Sequence, residues 1–407
     1  MTDSRFDLIV IGGGIIGLSV AMETTRRFPD LRLLVIEKEN QVGFHQSSRN
    51  SGVIHSGIYH LPESLKARMC IEGAAAMVEF CRAHGIPFDL CGKVVVATNE
   101  RELQGLDELY RRGTANGVRE LAMIGPEKLR EIEPHARGIR ALHVPGTGVT
   151  DYGAVTAKYA EIVRANGGEV RIGARVTGLK RRAGETVVET TVGSFLTRHL
   201  VNCAGLHSDR IARMAGAQVD VIIVPFRGEY YELVPERQHL VRSLIYPVPD
   251  PELPFLGVHF TRKIHGGIEA GPNAVLAFER EGYRWGNFSL TDTVATLTYP
   301  GFWRMARTYW RSGIGEFYRS RSKKAFVNAL RKLLPGLGPT DIRPGGAGVR
   351  AQALSRAGAL LDDFYFVQTE GMVHVCNVPS PAATASIPIG RKIVDMMQEA
   401  FGMRPKD

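Results

Sequence analysis

The sequence predicts an α/β protein in which a Rossmann-like dinucleotide-binding domain is interrupted by an α+β domain built on a mostly antiparallel sheet. Three observations predict it. A glycine turn sits between two apolar runs near the start, a strand ending Asn-Cys-Ala-Gly precedes a long stretch of β pattern in the middle, and a Gly/Pro-rich return closes the chain. A nucleotide unit that both opens and closes the chain is discontinuous, with the second domain inserted in it. The expected division gives 1–90, 145–219 and 340–407 to the first domain and 91–144 and 220–339 to the second.

The opening element is Asp7-Leu-Ile-Val-Ile-Gly-Gly-Gly-Ile-Ile-Gly17, followed by Leu33-Leu-Val-Ile-Glu37. Gly12 permits the tight turn, Gly14 lets the backbone approach a pyrophosphate, and Gly17 lets helix and strand pack closely, while the helix N-terminus attracts the phosphates. Glu37 lies 20 residues after Gly17 (37 − 17), where a carboxylate accepts from ribose hydroxyls. The acid disfavours NADP and by itself leaves NAD and FAD open.

After this βαβ unit at 6–37, the pattern gives a polar, glycine-containing stretch at 41–59, a helix at 62–84, a buried strand at 93–98, and a helix at 100–116 closed by Gly117. A turn-rich segment at 145–153 leads to a helix at 154–165 and strands at 170–177, 187–192 and 200–205. From Asp220 longer β patterns follow at 221–234, 255–261 and 266–278, with a proline-rich separator at 246–254. Residues 290–334 read as helical and basic, and 343–350 as a glycine-rich strand ending at Arg350. Strands at 364–367 and 373–376 and a helix to Phe401 complete the chain.

The 407 residues can bury a large core, and 44% hydrophobic with 23% charged content excludes a disordered class. Five scattered cysteines (Cys70, Cys81, Cys91, Cys203, Cys376) without a Cys-x-x-Cys pair imply neither a disulfide frame nor a metal site, and a reducing, cytoplasmic setting is expected. The apolar run at 8–21 carries four glycines and reads as strand and turn, not as a signal peptide. No run reaches the roughly eighteen apolar residues of a membrane-spanning helix.

Of the net charge of +9, residues 302–332 supply nine Lys or Arg against the single Glu316, a local balance of +8. Basic character confined to one segment excludes a general nucleic-acid surface. On a helix, Arg304, Arg307 and Arg311 share one arc, while Phe302, Trp303, Met305, Ala306, Tyr309 and Trp310 cover another. Aromatics beside cations suit an anionic headgroup layer, and 302–324 is the expected peripheral membrane contact; a solvated helix packed on the protein or an oligomer contact is the competing reading.

Longer motifs carry a resemblance. Together with 12–17 and Glu37, the segments Ser48-Arg-Asn-Ser-Gly-Val-Ile-His-Ser-Gly57, Val201-Asn-Cys-Ala-Gly205 and Gly346-Ala-Gly-Val-Arg350 resemble the D-amino-acid-oxidase-like FAD oxidoreductases. His45-Gln46, Asn50-Ser-Gly-Val-Ile-His-Ser-Gly-Ile-Tyr59, Pro62-Glu-Ser-Leu-Lys-Ala67, Val258-His-Phe-Thr-Arg262, Gly267-Ile-Glu-Ala-Gly-Pro-Asn-Ala274, Val349-Arg-Ala-Gln352 and Asn377-Val-Pro-Ser-Pro-Ala-Ala-Thr384 are similar to the L-2-hydroxyglutarate dehydrogenase/oxidase family. The likeness covers nearly the whole chain. It implies FAD and oxidation of a small dicarboxylate, L-2-hydroxyglutarate, to 2-oxoglutarate, with electrons passed to oxygen or a membrane quinone. Arg49 departs from the pattern, standing where some relatives carry a histidine that in a few holds the flavin covalently. Non-covalent FAD is therefore expected, with a bond through His45 as the alternative.

The resemblance and the glycine turn together assign FAD to Gly12, Gly14, Ile15, Ile16, Gly17, Glu37, Lys38, His45, Gln46, Asn50, Ser51, Gly52, Val176, Ala204, Gly205, Gly346, Gly348, Val349, Pro379 and Ser380. A flavin enzyme acting on a 2-hydroxy acid must clamp a carboxylate and take the hydroxyl proton. Arg350 is the first choice for a clamp, since a guanidinium gives two parallel bonds to a carboxylate. His55 and His259 are rival bases, because imidazole is a natural proton acceptor near neutrality, and one of them is a candidate ligand for the second carboxylate. Lys66, Arg227, Tyr246 and Thr261 are secondary polar contacts, and Glu269 either orients a histidine or is a turn residue. The competing functions are a related flavoenzyme oxidising glycerol 3-phosphate or a small amino acid, and a flavin-binding regulatory or RNA-modification protein. The set His55, His259 and Arg350 discriminates, since a binding module needs neither base nor clamp.

Overall fold

The computed structural model describes residues 4–251 and 255–404. Residues 252–254 of the proline-rich separator, and 1–3 and 405–407 of the expected first domain, lie outside the described residues. The chain divides into two compact units, Met1–Ser48 with Tyr152–Val224 and Ala351–Asp407, and Arg49–Asp151 with Pro225–Arg350. Residues 49–90 thus group with the second unit, where Val53–Ile54 and Phe88–Asp89 both pair with Gly148–Thr150.

The first unit is built on an eight-stranded sheet. Ser4–Ile11 runs parallel to Leu33–Ile36 on one side and to Gly193–Asn202 on the other, and all four residues of Leu33–Ile36 are buried. That continuous apolar run without alternation is the signature of a strand covered on both faces. The far edge of Gly193–Asn202 is divided: its first half takes Glu185–Thr190 antiparallel and its last residues take Met372–Asn377 parallel. The strand expected at 170–177 is two strands. Glu169–Arg171 lies beside Leu33–Ile36, whereas Val176–Arg182 pairs with Glu185–Thr190. Gly173 breaks it, with φ at 70° and its N–H donated to the Glu39 carbonyl.

The second unit is built on a nine-stranded sheet. Leu244–Pro247, which the separator pattern concealed, is a strand within it, parallel to Lys93–Ala97 and antiparallel to His259–Arg262. Its proline stands at the terminal position, where a missing N–H is tolerated. Register decides which residues share a face. Lys93 is opposite Leu244, Tyr246 opposite Val95, and Ile245 opposite Phe260. Since side chains alternate along a strand, Lys93, Tyr246, His259 and Thr261 line one face. The other face carries Val94, Val96, Ile245 and Phe260, packed against Phe326, Val327 and Leu330 of the helix Lys323–Leu330. Each such burial contributes about 1.5–3 kcal/mol. The strand holding Arg350 continues to Ser355, so Arg350 is interior to Ile342–Ser355 and not its end.

The basic segment forms the helices Leu290–Leu297, Pro300–Arg321 and Lys323–Leu330. Its aromatic arc is divided: Phe302 and Met305 are buried, whereas Trp303 (56%), Trp310 (55%), Ile314 (62%), Phe317 (51%) and Tyr318 (63%) are exposed. The 100° advance per residue interleaves these with Arg304, Arg307, Arg311 and Arg321 on one outward arc of about 140°. Among the described residues no helix is long and apolar enough to cross a membrane.

Candidate functional site

The first unit carries a cradle of backbone. Gly12 has φ at 109°, and a Cβ there would stand 2.4 Å from the Cys203 carbonyl oxygen; a Cβ on Gly17 would stand 2.0 Å from the Gly12 oxygen. Only hydrogen fits at either position. The helix Ile15–Arg27 opens at Gly14, which has no side chain to cap it, and a helix N-terminus favours an anion. Ser47 holds the turn by accepting the Ile15 N–H at 2.9 Å, and Ile16 follows in the first helical turn. Glu37 closes the other side, one carboxylate oxygen accepting the Gly13 N–H at 2.8 Å and the other the Glu39 N–H at 2.9 Å. Each oxygen keeps a lone pair for a hydroxyl.

Next to it, Lys38 and Glu39 form an ion pair, and His45 Nε2 lies 2.9 Å from both the Lys38 Nζ and a Glu39 oxygen. The Gln46 side chain approaches Gly205, where a Cβ would come within 3.1 Å of its oxygen. Ala204 donates its N–H to Asn202 at 3.1 Å, which folds the Asn-Cys-Ala-Gly end back after the strand. Val176 lies at the start of Val176–Arg182, and Pro379 and Ser380 follow Met372–Asn377. These residues share the first unit. Asn50, Ser51, Gly52, Gly346, Gly348 and Val349 belong to the second. There Asn50 accepts the Gly52 N–H at 2.8 Å, a Cβ on Gly348 would meet the Arg49 carbonyl oxygen at 2.3 Å, and the Arg49 guanidinium lies 4.1 Å from the Tyr283 ring centroid. Gly346 faces open space.

The fit to a dinucleotide rests on this cradle: its pyrophosphate needs close backbone and a helix N-terminus, its ribose needs a carboxylate, and 12–17 with Glu37 offers all three.

The second unit carries a cluster of side chains. His259 is 6% exposed and its ring lies 3.9 Å from that of Tyr246, whose hydroxyl is 3.4 Å from Thr261 Oγ1. The Gly257 carbonyl oxygen is 2.8 Å from His259 Nδ1, so Nδ1 carries the proton and Nε2 presents a lone pair. Burial, reinforced by the charges of Arg350 and Lys93, pushes His259 down to about 3. His55 is held well below its ordinary value by burial first and then by Lys93, His60, His259 and Lys66. Both imidazoles are neutral at physiological pH. Arg350 is half-buried, stacked 5.0 Å from the Phe255 ring centroid, and has no hydrogen-bond or ion-pair partner among the described residues. Desolvation lowers its pKa, and Tyr230, Glu316 and Tyr246 oppose that effect. A guanidinium so placed has its full fork of donors for an anion.

The structure thus brings His55, His259, Arg350, Tyr246, Thr261 and Lys66 into one unit, and His259, Tyr246 and Thr261 onto one sheet face. Arg227 is engaged elsewhere, bonded to Glu229 at 3.0 Å and stacked on Trp285. Glu269, in the strand Ile268–Gly271, pairs with Lys263 at 2.7 Å and is a histidine's partner in no hydrogen bond among the described residues. Sequence reading missed Lys93, Tyr59 and Tyr230. Lys93 had one visible signal, a cation opening the otherwise apolar run Lys93-Val-Val-Val-Ala97. For the tyrosines nothing in the local pattern distinguishes a site residue from core.

Residues 7–396 match the profile of the family described as FAD dependent oxidoreductase. An L-2-hydroxyglutarate dehydrogenase of Indibacter alkaliphilus is 48% identical over 97% of this chain and 100% of its own length. One from Escherichia coli K12 is 45% identical over 97% and 93%, and a mitochondrial one from Nematostella vectensis 42% over 98% and 91%. Among solved structures, the L-alpha-glycerophosphate oxidase of Mycoplasma pneumoniae with FAD bound superposes with a TM-score of 0.81 at 22% identity, covering 99% of this chain and 96% of that one. Glycine oxidase from Geobacillus kaustophilus gives 0.71 at 18%, covering 97% and 95%. These structural likenesses show the fold.

Proposed function

The chain belongs to the FAD-dependent oxidoreductase family, and we propose that it oxidises L-2-hydroxyglutarate to 2-oxoglutarate. The observation that carries this reading is the second unit's pairing of a partnerless guanidinium, Arg350, with two imidazoles kept neutral, His55 and His259. FAD, when bound, supplies the hydride acceptance that oxidation of a secondary alcohol needs. Arg350 binds the carboxylate next to C2 through both arms of its fork. A neutral imidazole accepts the hydroxyl proton as the C2–H bond breaks and the C2=O bond forms, and the dianionic substrate raises that imidazole's basicity. His259 is held for this by Gly257, which fixes its tautomer, and Tyr246, which fixes its plane. The cradle at 12–17 and Glu37 hold FAD non-covalently, with His45 already committed to Lys38 and Glu39.

Anaerobic mixing of the yellow protein with a panel of 2-hydroxy acids, glycerol 3-phosphate and amino acids tests the reading. Bleaching by L-2-hydroxyglutarate is expected, with a much slower bleach in His55→Asn or His259→Asn. Reduction by glycerol 3-phosphate or glycine, with L-2-hydroxyglutarate inert, rejects it.

The electrons go to a quinone at an anionic bilayer surface, on which the exposed arc of Pro300–Arg321 lies. Trp303, Trp310, Ile314, Phe317 and Tyr318 are too exposed for core packing, and the arginines among them match anionic headgroups. Sedimentation with anionic liposomes should carry the protein down, and exchanging Trp303, Trp310 and the arginines for neutral polar residues should leave it in solution; retention by that variant rejects the contact.

A further inference from the structure

Lys93 is the most heavily buried cation of the described second unit, at 1% exposure, and its Nζ has no hydrogen-bond partner among the described residues. Nothing local requires a lysine there. The strand Lys93–Ala97 is otherwise wholly apolar and buried, and an aliphatic residue would satisfy the sheet equally well. An unpaired ammonium out of water costs several kcal/mol of desolvation, so a fold keeps one only where something else compensates.

The neighbours do not compensate. Nζ lies 4.6 Å from the Tyr59 ring centroid and 5.2 Å from that of Tyr246, which gives it aromatic walls but no negative charge. The nearby Cys70 is pushed up to about 12 by burial, so it stays a neutral thiol and is not a counter-ion. The Tyr59 hydroxyl is likewise buried without a partner among the described residues, so the residue whose ring walls the ammonium also carries an unsatisfied hydrogen-bonding group. Sheet register puts Lys93 on the same face as Tyr246 and His259, and His259 feels both Lys93 and Arg350.

We propose that Lys93, with Tyr59 as a supporting donor, is the seat of the substrate's second carboxylate, and that it selects dicarboxylates over monocarboxylates. This rests on the reading of the second unit as a 2-hydroxy-acid site. Arg350 takes the carboxylate next to C2, the His259/Tyr246 stack accompanies the reacting carbon, and Lys93 takes the remote end of a five-carbon chain. A substrate with one carboxylate leaves Lys93 buried and unpaired, and that cost is the discrimination. Protonation agrees with this role. Burial lowers Lys93 to about 7, and a carboxylate on Nζ restores its proton.

The experiment uses the FAD-loaded protein and two redox-inert probes, glutarate and butyrate, with binding followed by flavin absorbance and by calorimetry. Wild type should prefer glutarate. In Lys93→Met the glutarate affinity should fall roughly 10- to 150-fold, the loss of a charge-assisted hydrogen bond, while butyrate affinity stays within about threefold. A structural role predicts the opposite stability change, so melting temperature is the second readout. Lys93→Met should melt at or above wild type, because it removes an unpaired buried charge. A glutarate preference that survives in Lys93→Met overturns the proposal, as does equal loss of both probes with a lowered melting temperature. Should Lys93→Met fail to fold, Lys93→Gln supplies the same comparison through kcat/KM for L-2-hydroxyglutarate against L-2-hydroxybutyrate. Failure of the underlying reading shows separately, as wild-type flavin that L-2-hydroxyglutarate does not bleach.

Discussion

The cradle at 12–17 is made of backbone within a single turn, whereas the cationic face of the second unit is made of side chains from segments as far apart as His55, Lys93, Tyr246, His259 and Arg350. The turn at 12–17 keeps its shape because side chains are absent: a Cβ on Gly17 would press to 2.0 Å on the Gly12 oxygen. The face of the second unit instead carries costly side chains, and Lys93 Nζ and the Arg350 guanidinium have no hydrogen-bond or ion-pair partner among the described residues. Recognition by backbone is generic, suiting a pyrophosphate that many enzymes share. Recognition by buried, unpaired charge is selective, because a wrong ligand leaves the charge unpaired.

The contrast predicts that damage to the two regions separates. The largest effect is expected for Gly17→Ala, whose methyl must displace the backbone of the turn; overpacking of this kind costs about 1–3 kcal/mol or more, and the protein should purify with little flavin, read from its visible to ultraviolet absorbance ratio. An alanine variant retaining full flavin would break the claim that close backbone approach makes the cradle. Arg350→Gln should keep its flavin but lose roughly 100- to 1,000-fold in kcat/KM, about 3–4 kcal/mol, in stopped-flow reduction. If it loses flavin instead, Arg350 belongs with the cofactor and the division is drawn in the wrong place.

The third effect is in the pH dependence of stability. Lys93 is lowered from 10.5 to about 7 by burial, so between those values the unfolded chain holds a proton that the folded chain does not. Stability therefore rises with pH across that window, and the cost is fully present below about 7. The neighbouring groups do not mimic this signature: His55 and His259 are lowered away from it, and Cys70, Tyr59 and Tyr246 are raised. Denaturant unfolding of wild type and Lys93→Met from pH 6 to 10 should give a difference that is flat at first and then closes in the wild type's favour.

The difference between the regions also explains what could be read in advance. Gly12, Gly14, Gly17 and Glu37 were legible because turn geometry demands glycine at fixed spacing and a βαβ unit is local in sequence. The split of 170–177 was not, because a single glycine with positive φ sends two halves of one apolar run to different partners. The strand Leu244–Pro247 was hidden by its proline. Lys93 is not legible as a site residue, since a sequence does not show whether a cation at an element's end reaches water.

By itself the sequence determined the fold class and the family, and it supplied the glycine turn and the residue types from which the proposed hydroxy-acid site is built, since these are written in glycine spacing, apolar runs and long motifs. The tertiary structure alone decided which of those side chains meet. Register on the nine-stranded sheet set Lys93, Tyr246 and His259 on one face, the Gly257 carbonyl chose the His259 tautomer, and burial made both imidazoles neutral and left Lys93 without a counter-ion. Those are consequences of non-local pairing and desolvation, which no local pattern of residues encodes.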